Sequence, residues 1–298
     1  MASVQDIKRR VRSVKNTRKI TKALELVAAA KLRRAQVRIE SMRPYADRMQ
    51  ELMIGTARAS SSVRGLALLQ RRDEVKTVAI VPLTGDRGLA GAFNANVLRQ
   101  AFALERALVA EGKTVKWLVV GKKGGSTLRF RGYEVAQSWT GYSSAPAYAD
   151  AQAVAHRLST LYAEGEVDRV VIVYNHFISA LAQDVVAQDV LPIPENLLAA
   201  DDASEQKENA LRGDFIYEPE PEEILKRLLP VYVETELYRA LLESAASFQG
   251  AQMTAMRNAS KSAGEVIDSL TLAMNRARQS EITQEILEVV AGADALTG

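Results

Sequence analysis

The stretch VQDIKRRVRSVKNTRKITKALELVAAAKLRRAQVRIESM, residues 4–42, carries an apolar repeat with alternating spacings of three and four. Counted from position 4 to position 56, twelve of the sixteen positions of this repeat are apolar. A period of about 3.5 residues is typical of a helix that packs along another helix as a coiled coil. The sequence therefore predicts a long N-terminal helix whose seam includes Val11, Val14 and Leu32.

Polar residues interrupt this seam in one place, at Arg18, Thr21 and Glu25. We expect the helix to meet something other than its steady partner helix there. Pro44 lacks a backbone N–H and should bend the helix locally, although a long helix supported on one side can continue through it.

The last part of the chain mirrors the first. From Glu222 to Val290 no proline appears after Pro230, and twelve of the sixteen seam positions between 238 and 291 are apolar. Six of these twelve are alanine, whose small side chain lets two helix backbones approach closely, and a glycine, Gly292, stands where a C-terminal cap is expected. Such long helices need a partner, so we predict that the two terminal helices form an antiparallel coiled coil. The predicted seam includes Val266, Leu270, Ala273, Ala277 and Leu287.

Between the two helices the sequence changes period. Three short apolar runs, 78–83, 115–120 and 167–174, alternate with helical patterns at about 94–111 and 147–163. Strands that are apolar on both faces and alternate with helices predict a mainly parallel sheet covered by helices on both sides. The middle is therefore predicted to be a Rossmann-like α/β domain.

These patterns predict three parts: an N-terminal coiled-coil helix (1–72), a central α/β domain (73–217) and a C-terminal coiled-coil helix (218–298). Within the centre, 185–193 is interpreted as a further edge strand. The polar, acidic stretch 201–213 is interpreted as a loop.

Composition excludes several classes of protein. The 298 residues are 47% hydrophobic and 25% charged, which is ordinary globular composition. No cysteine and only two histidines leave no thiolate nucleophile, no disulfide and no Cys/His zinc cluster, so we do not expect metal or redox chemistry. No apolar run reaches the roughly 18 to 20 residues of a membrane span, and the start lacks the apolar centre of a signal peptide. We expect a soluble protein that is not secreted.

Two glycine-bearing turns follow predicted strands, TGDRGLAGAFN (84–94) and GKKGGS (121–126). A phosphate could bind at such turns, but neither has the glycine spacing of a P-loop or of a dinucleotide-binding motif, so tight turns are the favoured interpretation. His176 could act as a general base, yet no nucleophile stands at a recognisable spacing from it. An enzyme with its own active site is therefore poorly supported.

The first 43 residues are strongly basic, with thirteen Lys or Arg against three acidic residues, a local net charge of +10. Two functional interpretations remain open at this point, nucleic-acid binding and contact with an acidic protein, besides a merely solvated face. The cations surround the helix and no aromatic residues interleave with them for base stacking, which favours the protein contact.

Three stretches together resemble the gamma subunit of the rotary (F-type) ATP synthase in its bacterial form. They are IKRRVRSVKNTRKITKALELVAAAKLRRAQ (7–36), DRGLAGAFN (86–94) and LTLAMNRARQSEITQEILEVVAGADA (270–295). Gly85 stands where this family tends to have Ser, and Ala90 where it often has Cys. The Cys-bearing insertion of the chloroplast form is absent, and nothing ahead of Met1 resembles a transit peptide, so we expect a bacterial protein.

The resemblance implies a rotor shaft rather than a catalyst. In that family the terminal helices lie inside a hexamer of three alpha and three beta subunits, and the α/β middle holds the membrane c ring together with the epsilon subunit. Proton flow turns the ring, and the shaft then changes the nucleotide sites of the beta subunits. The resemblance implies no cofactor, no nucleic acid and a peripheral place on the cytoplasmic face of the inner membrane, reached only through the c ring.

The resemblance also implies roles for particular residues. Arg278, Gln279 and Thr283 match the residues that grip a loop of one beta subunit. Phe215, Tyr217 and Glu218 match the foot that faces the c ring, with Glu218 as its polar contact. The alternative is a basic helical nucleic-acid-binding protein, which predicts an affinity for duplex DNA that falls steeply with salt.

Overall fold

The computed structural model describes residues 3–59, 66–194 and 219–297. The predicted acidic loop, 201–213, lies outside these residues. The described residues form five helices and five strands. In chain order they are α1 (Val4–Ala59), β1 (Thr77–Pro82), α2 (Phe93–Ala110), β2 (Thr114–Val120), α3 (Lys122–Phe130), β3 (Val135–Trp139), α4 (Tyr148–Ala163), β4 (Arg169–Phe177), β5 (Gln183–Leu191) and α5 (Pro221–Thr297).

The chain divides into two compact units. Residues 29–251 form one, which contains the sheet and is called the sheet unit below. Residues 1–28 and 252–298 form the other, which is called the end unit. The helices α1 and α5 contribute residues to both. The predicted domain limits near 72 and 217 stay a prediction.

The five strands form one sheet in the order β3-β2-β1-β4-β5. The pairs β1 with β2, β1 with β4 and β2 with β3 are parallel, and only the edge strand β5 runs antiparallel to its neighbour β4. In the centre of the sheet, Ile80 is in register with Trp117 on one side and Val171 on the other. The predicted mainly parallel α/β sheet with long terminal helices is confirmed.

Both faces of the sheet are covered, as the apolar strands predict. Alternate residues of β1 point to opposite faces, so Ala79 and Val81 join one apolar core and Val78 and Ile80 the other. The first core includes buried residues of α4, of the end of α1 and of the beginning of α5. The second includes buried residues of α2 and α3.

The predicted strands and the helices between them agree in their limits with the structure to within a few residues, whereas β3 and the end of α5 differ. The strand β3 was not predicted, because its sequence VAQSW is half polar and its residues are at best half-buried. The predicted edge strand is β5, which begins two residues earlier. The expected cap at Gly292 is wrong: α5 continues through it to Thr297. Nothing lies within 4 Å of where a side chain on Gly292 would begin, so no contact ends the helix there.

Candidate functional site: the paired helix ends and the sheet edge

In the end unit, the first part of α1 and the part of α5 between about 257 and 281 run antiparallel. The backbone N–H of Val4 donates to Oε1 of Glu281 at 3.5 Å, and Nε of Arg257 lies 3.1 Å from Oε1 of Glu25. Residue numbers thus rise along α1 as they fall along α5. An apolar cluster joins the helices; its members are Ile7, Val11, Val14, Ile267, Leu270, Met274 and Ala277.

At two positions the observed seam of α5 lies one residue later in the chain than the predicted seam: 267 instead of 266, and 274 instead of 273. Ile267 is 7% exposed, whereas the predicted seam residue Val266 is 46% exposed. One heptad further on, Met274 packs in the cluster while Ala273 is exposed. Ala273 is therefore a wrong seam assignment, because the larger Ile267 and Met274 bury more apolar area in the same contact. The predicted residues Val11, Val14, Leu270 and Ala277 all lie in the cluster.

The far end of α5 has no partner helix in the described residues. Glu281 already contacts Val4, the first residue of α1, so α5 runs on past the start of α1. Leu287, the last predicted seam residue, is accordingly 63% exposed. Its neighbours Ile282, Ile286, Val289 and Val290 are also exposed. Leu32, in contrast, is buried in the sheet unit.

The polar break of α1 is an ion-pair cluster on the contact with α5. Glu25 is only 6% exposed, with Nζ of Lys22 3.0 Å from Oε2 and Nε of Arg257 3.1 Å from Oε1. Hydrogen bonds from Lys22 and then from Arg257 hold the pKa of the Glu25 carboxyl below its ordinary value. Thr21 is buried too, and its hydroxyl donates to the carbonyl of Arg18. The expectation that α1 leaves its partner here is therefore wrong, because the charges pair across the two helices.

Beside this cluster, the end unit carries an open cleft of about 960 Å³ with a strongly basic wall. Val11, Leu26 and Ile267 supply its apolar surface. Among the described residues that line it none is acidic. Such a surface suits an acidic partner, whose approach it would steer. Its cations are Lys8, Arg12, Lys15, Arg18, Lys19 and Lys22.

Arg278, Gln279 and Thr283 all lie exposed on α5. The hydroxyl of Thr283 donates to the carbonyl of Gln279 at 2.9 Å, which leaves its oxygen able to accept a hydrogen bond from a partner. At about 100° per residue, the three side chains leave the helix within an arc of roughly 140°. Their role stays a prediction. The predicted foot residues Phe215, Tyr217 and Glu218 lie outside the described residues.

In the sheet unit, one carboxylate holds the loops at the carboxyl edge of the sheet. Oδ1 of Asp86 accepts a hydrogen bond from the backbone N–H of Lys122 at 3.0 Å. Oδ2 accepts from the N–H of Gly141 at 2.9 Å and from the hydroxyl of Ser143 at 2.9 Å. Asp86 thus joins the loops that follow β1, β2 and β3. Because its charge already occupies the N-terminus of α3, a phosphate would be repelled there.

The second glycine turn is closed by Thr84. Its hydroxyl donates to the carbonyl of Val120 at 2.9 Å and accepts from the N–H of Gly124 at 2.9 Å. Gly121 has φ +99, and a Cβ on it would lie 2.0 Å from the carbonyl oxygen of Thr84. Gly121 and Gly124 therefore let two backbone segments approach closely, which agrees with the interpretation of this stretch as a tight turn.

The helix α5 occupies the crevice where an open α/β sheet usually binds its ligand. That crevice lies at the carboxyl edge where the strand order reverses, here between β1 and β4. The buried ring of Phe248 packs edge-to-face on Phe93 at 5.4 Å, and a Cβ on Gly85 would lie 2.8 Å from it. The hydroxyl of Ser247 donates to the carbonyl of Asn175, near the end of β4, at 3.1 Å. The chain's own helix thus stands in the place of a ligand.

His176 is joined to α5 by a short side-chain contact with Glu243. Its Nδ1 lies 2.5 Å from Oε2 of the buried Glu243. Burial, and then the nearby Glu243 carboxylate, raise the pKa of the Tyr174 hydroxyl to about 12. Neither Glu243 nor Phe248 was predicted from the sequence as a functional residue. One feature of the sequence could have indicated a buried contact of Glu243. It is the single carboxylate within LLESAASFQG (241–250), a run that is otherwise apolar, small or neutral.

Two kinds of feature are absent from the described residues 3–59, 66–194 and 219–297. No group of three or more His, Asp or Glu side chains there is placed to hold a metal ion. Within the same ranges, no helix combines the length and apolarity that crossing a membrane requires.

Comparisons with known proteins agree with one another. The ATP synthase family matches residues 3–296. The chain is 45% identical to the ATP synthase gamma chain of Moorella thermoacetica over 296 residues, 99% of this chain and 100% of the relative. It is 43% identical to that of a Synechococcus species over 317 residues, with both chains fully covered. A central stalk/c-ring structure of the Tetrahymena thermophila mitochondrial ATP synthase contains a chain with 28% identity and a TM-score of 0.59, covering 81% of this chain and 99% of that one.

Proposed function

The chain belongs to the ATP synthase gamma chain family, and from that premise we propose that it is the central rotor shaft of a proton-translocating ATP synthase. The shaft couples rotation of the membrane c ring to changes at the nucleotide sites of the beta subunits, in both synthesis and hydrolysis of ATP. It is a non-catalytic subunit. That assignment is supported by the carboxyl edge of the sheet, where α5 and Asp86 stand in place of a ligand.

The partners in this proposal are the hexamer of alpha and beta subunits, the epsilon subunit and the c ring. The stalk and c-ring match supports this set. The protein then lies peripherally on the cytoplasmic face of the bacterial inner membrane and meets the membrane only through the c ring. Phe215, Tyr217 and Glu218 form the foot toward that ring. The nucleic-acid alternative gains no support from the comparisons.

The observation that carries the proposal is the exposed apolar surface at the end of α5, in the end unit. Two helices joined by one narrow apolar seam leave a row of large apolar residues exposed at the end of α5, between Ile282 and Val290. An exposed apolar surface of this kind marks an interaction site. We assign this helix end to the central cavity of the hexamer, whose walls would enclose it.

The mechanism follows from the unequal faces of the end unit. The basic cleft lies along α1, whereas Arg278, Gln279 and Thr283 project from α5. A beta subunit that meets one face is stabilised in one conformation, and a beta subunit that meets another face is not. Rotation changes which beta subunit meets which face, so each nucleotide site passes in turn through its open and closed states.

A rotation measurement on the assembled complex tests this function. The chain has no Cys, so Phe130→Cys, at a side chain that is 91% exposed on α3, gives one attachment point for a bead. We expect the chain to assemble with the alpha and beta subunits of its own source and the bead to turn in one direction when ATP is added. A complex that hydrolyses ATP while the bead stays still would contradict the proposal. The matched control is the same complex without nucleotide.

A further inference from the structure

Ten successive residues of α5, 241–250, are all buried. A helix completes a turn in 3.6 residues, so this stretch is enclosed on every side for nearly three turns. Five of the ten residues are Ser, Ala or Gly, whose small side chains let neighbouring backbone come close. We call these residues the enclosed segment. The sheet unit ends one residue later, at Ala251.

One side of the enclosed segment is fixed to β4 and to the turn that follows it. Three residues at spacings of four and three make these contacts: Glu243, Ser247 and Gly250. Glu243 pairs with His176, and Ser247 donates to the carbonyl of Asn175. A Cβ on Gly250 would lie 3.1 Å from the carbonyl oxygen of the turn residue 180, so the two backbones are nearly in contact.

A second side is fixed by Phe248, about 100° around the helix from Ser247. Its ring lies between Phe93 and the backbone of Gly85. On a third side, Leu242 and Ala245 line a cleft of about 220 Å³ together with residues of α1 and of the loop at 144–146. The contacts that fix the enclosed segment therefore point in two directions around the helix axis, and its third side borders this cleft.

We propose that the enclosed segment is the clamp that passes torque between the sheet unit and α5. This inference rests on the proposed rotor function. A helix held on one side only can roll about its axis under load. A helix held in two directions by a wedged ring, the contact between His176 and Glu243 and close backbone approach cannot turn without breaking all of them. Phe248 and Glu243 are the principal positioning residues, and the crevice that other α/β domains use for a ligand serves here as the socket of the shaft.

Torsional stiffness distinguishes a clamp from ordinary core packing. The bead on Phe130→Cys is followed in the complex with the hexamer stalled, and the variance of its angle measures the compliance of the chain. The key variant is Phe248→Ala. The matched control is Phe102→Ala, which removes the same atoms. Phe102 lies on α2, away from α5, and its buried ring packs on Trp117 and Tyr133.

We expect Phe248→Ala to raise the variance of the bead angle by about twofold or more, because the cavity removes the wedge, and Phe102→Ala to leave it nearly unchanged. Glu243→Gln keeps the shape of the side chain and should give a smaller rise in the same direction. If Phe248→Ala fails to assemble, Glu243→Gln and His176→Ala decide the question.

Equal variances for the clamp variants and Phe102→Ala would overturn the clamp. A parental complex that hydrolyses ATP without turning the bead would instead overturn the rotor function on which the clamp rests. The two failures are therefore distinguishable in one set of samples.

Discussion

Gly85 and Phe248 lie so close that a single added carbon on Gly85 would sit 2.8 Å from Cε2 and 3.0 Å from Cδ2 of the ring. One residue belongs to the turn after β1 and the other to α5, 163 positions later in the chain. The glycine and the ring are therefore a matched pair. A serine at position 85 would not fit here unless the ring moved.

This contact predicts a coupled pair of substitutions. Gly85→Ser should lower the free energy of unfolding of the sheet unit by about 1 to 3 kcal/mol, because the new side chain has no room. Adding Phe248→Leu should recover part of that loss, with a coupling energy of about 0.5 to 3 kcal/mol. Tryptophan fluorescence during urea unfolding measures it, since Trp117 and Trp139 both lie in the sheet unit.

Gly112→Ser is the control for this pair. Gly112, unlike Gly85, has a positive φ, +78, and nothing lies within 4 Å of where its Cβ would stand. It should cost only about 1 kcal/mol of backbone strain and show no coupling to Phe248→Leu. Additive effects of Gly85→Ser and Phe248→Leu would contradict the contact.

The ion-pair cluster at Glu25 predicts how acid acts on the end unit. The pKa of Glu25 is lowered from 4.5 in the folded chain, so its ionised form is the one that folding favours. Its contribution to stability is present above the ordinary glutamate pKa and is lost as the pH falls through the lowered value. At pH 7, Glu25→Gln should therefore speed amide exchange in 20–28 and 252–262. Well below pH 4 the variant and the parent should become alike.

Glu40→Gln is the control for the acid prediction, because Glu40 is exposed on the same helix. It should leave exchange in 20–28 unchanged at either pH. If Glu25→Gln exchanged like the parent at pH 7, the cluster would not stabilise the helix pair.

Unequal burial along the terminal helices predicts a gradient of amide exchange in the isolated chain. Residues 241–250 are buried throughout and should be as protected as β4. The helix pair in the end unit has one narrow seam, so 20–28 and 265–281 should exchange faster. The exposed end, 282–290, should exchange fastest. Uniform protection along α5 would show that the end unit is more stable than its small buried area indicates.

The basic cleft predicts a salt-dependent rate of assembly. Replacing Lys8, Arg12 and Lys19 with Gln removes three charges that line the cleft, whereas replacing Arg9, Arg10 and Arg33 removes three charges of α1 outside it. The first triple should slow association with the alpha and beta subunits at low ionic strength and lose this effect at high salt, because exposed charges are screened over about 8 to 10 Å near physiological salt. Stopped-flow light scattering measures the rate. Equal slowing by both triples would show that net charge, rather than the cleft, steers assembly.

Much of this architecture could be predicted from periodicity alone. The apolar repeat of α1 is typical of a helix that packs along another helix. The strands that are apolar on both faces are typical of a sheet covered on both sides. The phase of α5 could not be settled, because Val266 and Ile267 are both apolar and only the facing helix distinguishes them. The contact of α5 with the carboxyl edge of the sheet could not be predicted either. Ser247, Phe248 and Gly250 could equally lie on an exposed helix surface, and only the folded sheet shows that the ends of β1 and β4 lie beside them.

The predicted grip at Arg278, Gln279 and Thr283 remains the sharpest test of the shaft. All three side chains are exposed in the chain, so alanine there removes no internal packing and should change its stability by only a few tenths of a kcal/mol. The cluster residues Ile267, Leu270 and Met274 are untouched. The triple alanine variant should therefore assemble with the alpha and beta subunits and keep its helical content.

Function should respond differently from stability in that variant. If Arg278 makes a charge-assisted hydrogen bond to a beta subunit and the other two make neutral ones, their loss weakens the contact by about 2 to 5 kcal/mol in sum. Steady-state ATP turnover and proton-driven synthesis should then fall to a small fraction of the parental rates, while slow single-site hydrolysis, which needs no rotation, changes much less.

The matched control is alanine at Asn275, Arg276 and Ser280, three exposed residues of the same helix, and this variant should turn over ATP normally. Parental turnover in the first variant would show that the beta subunits hold the shaft elsewhere. Equal losses in both triples would point to a general weakening of the helix end rather than to a grip.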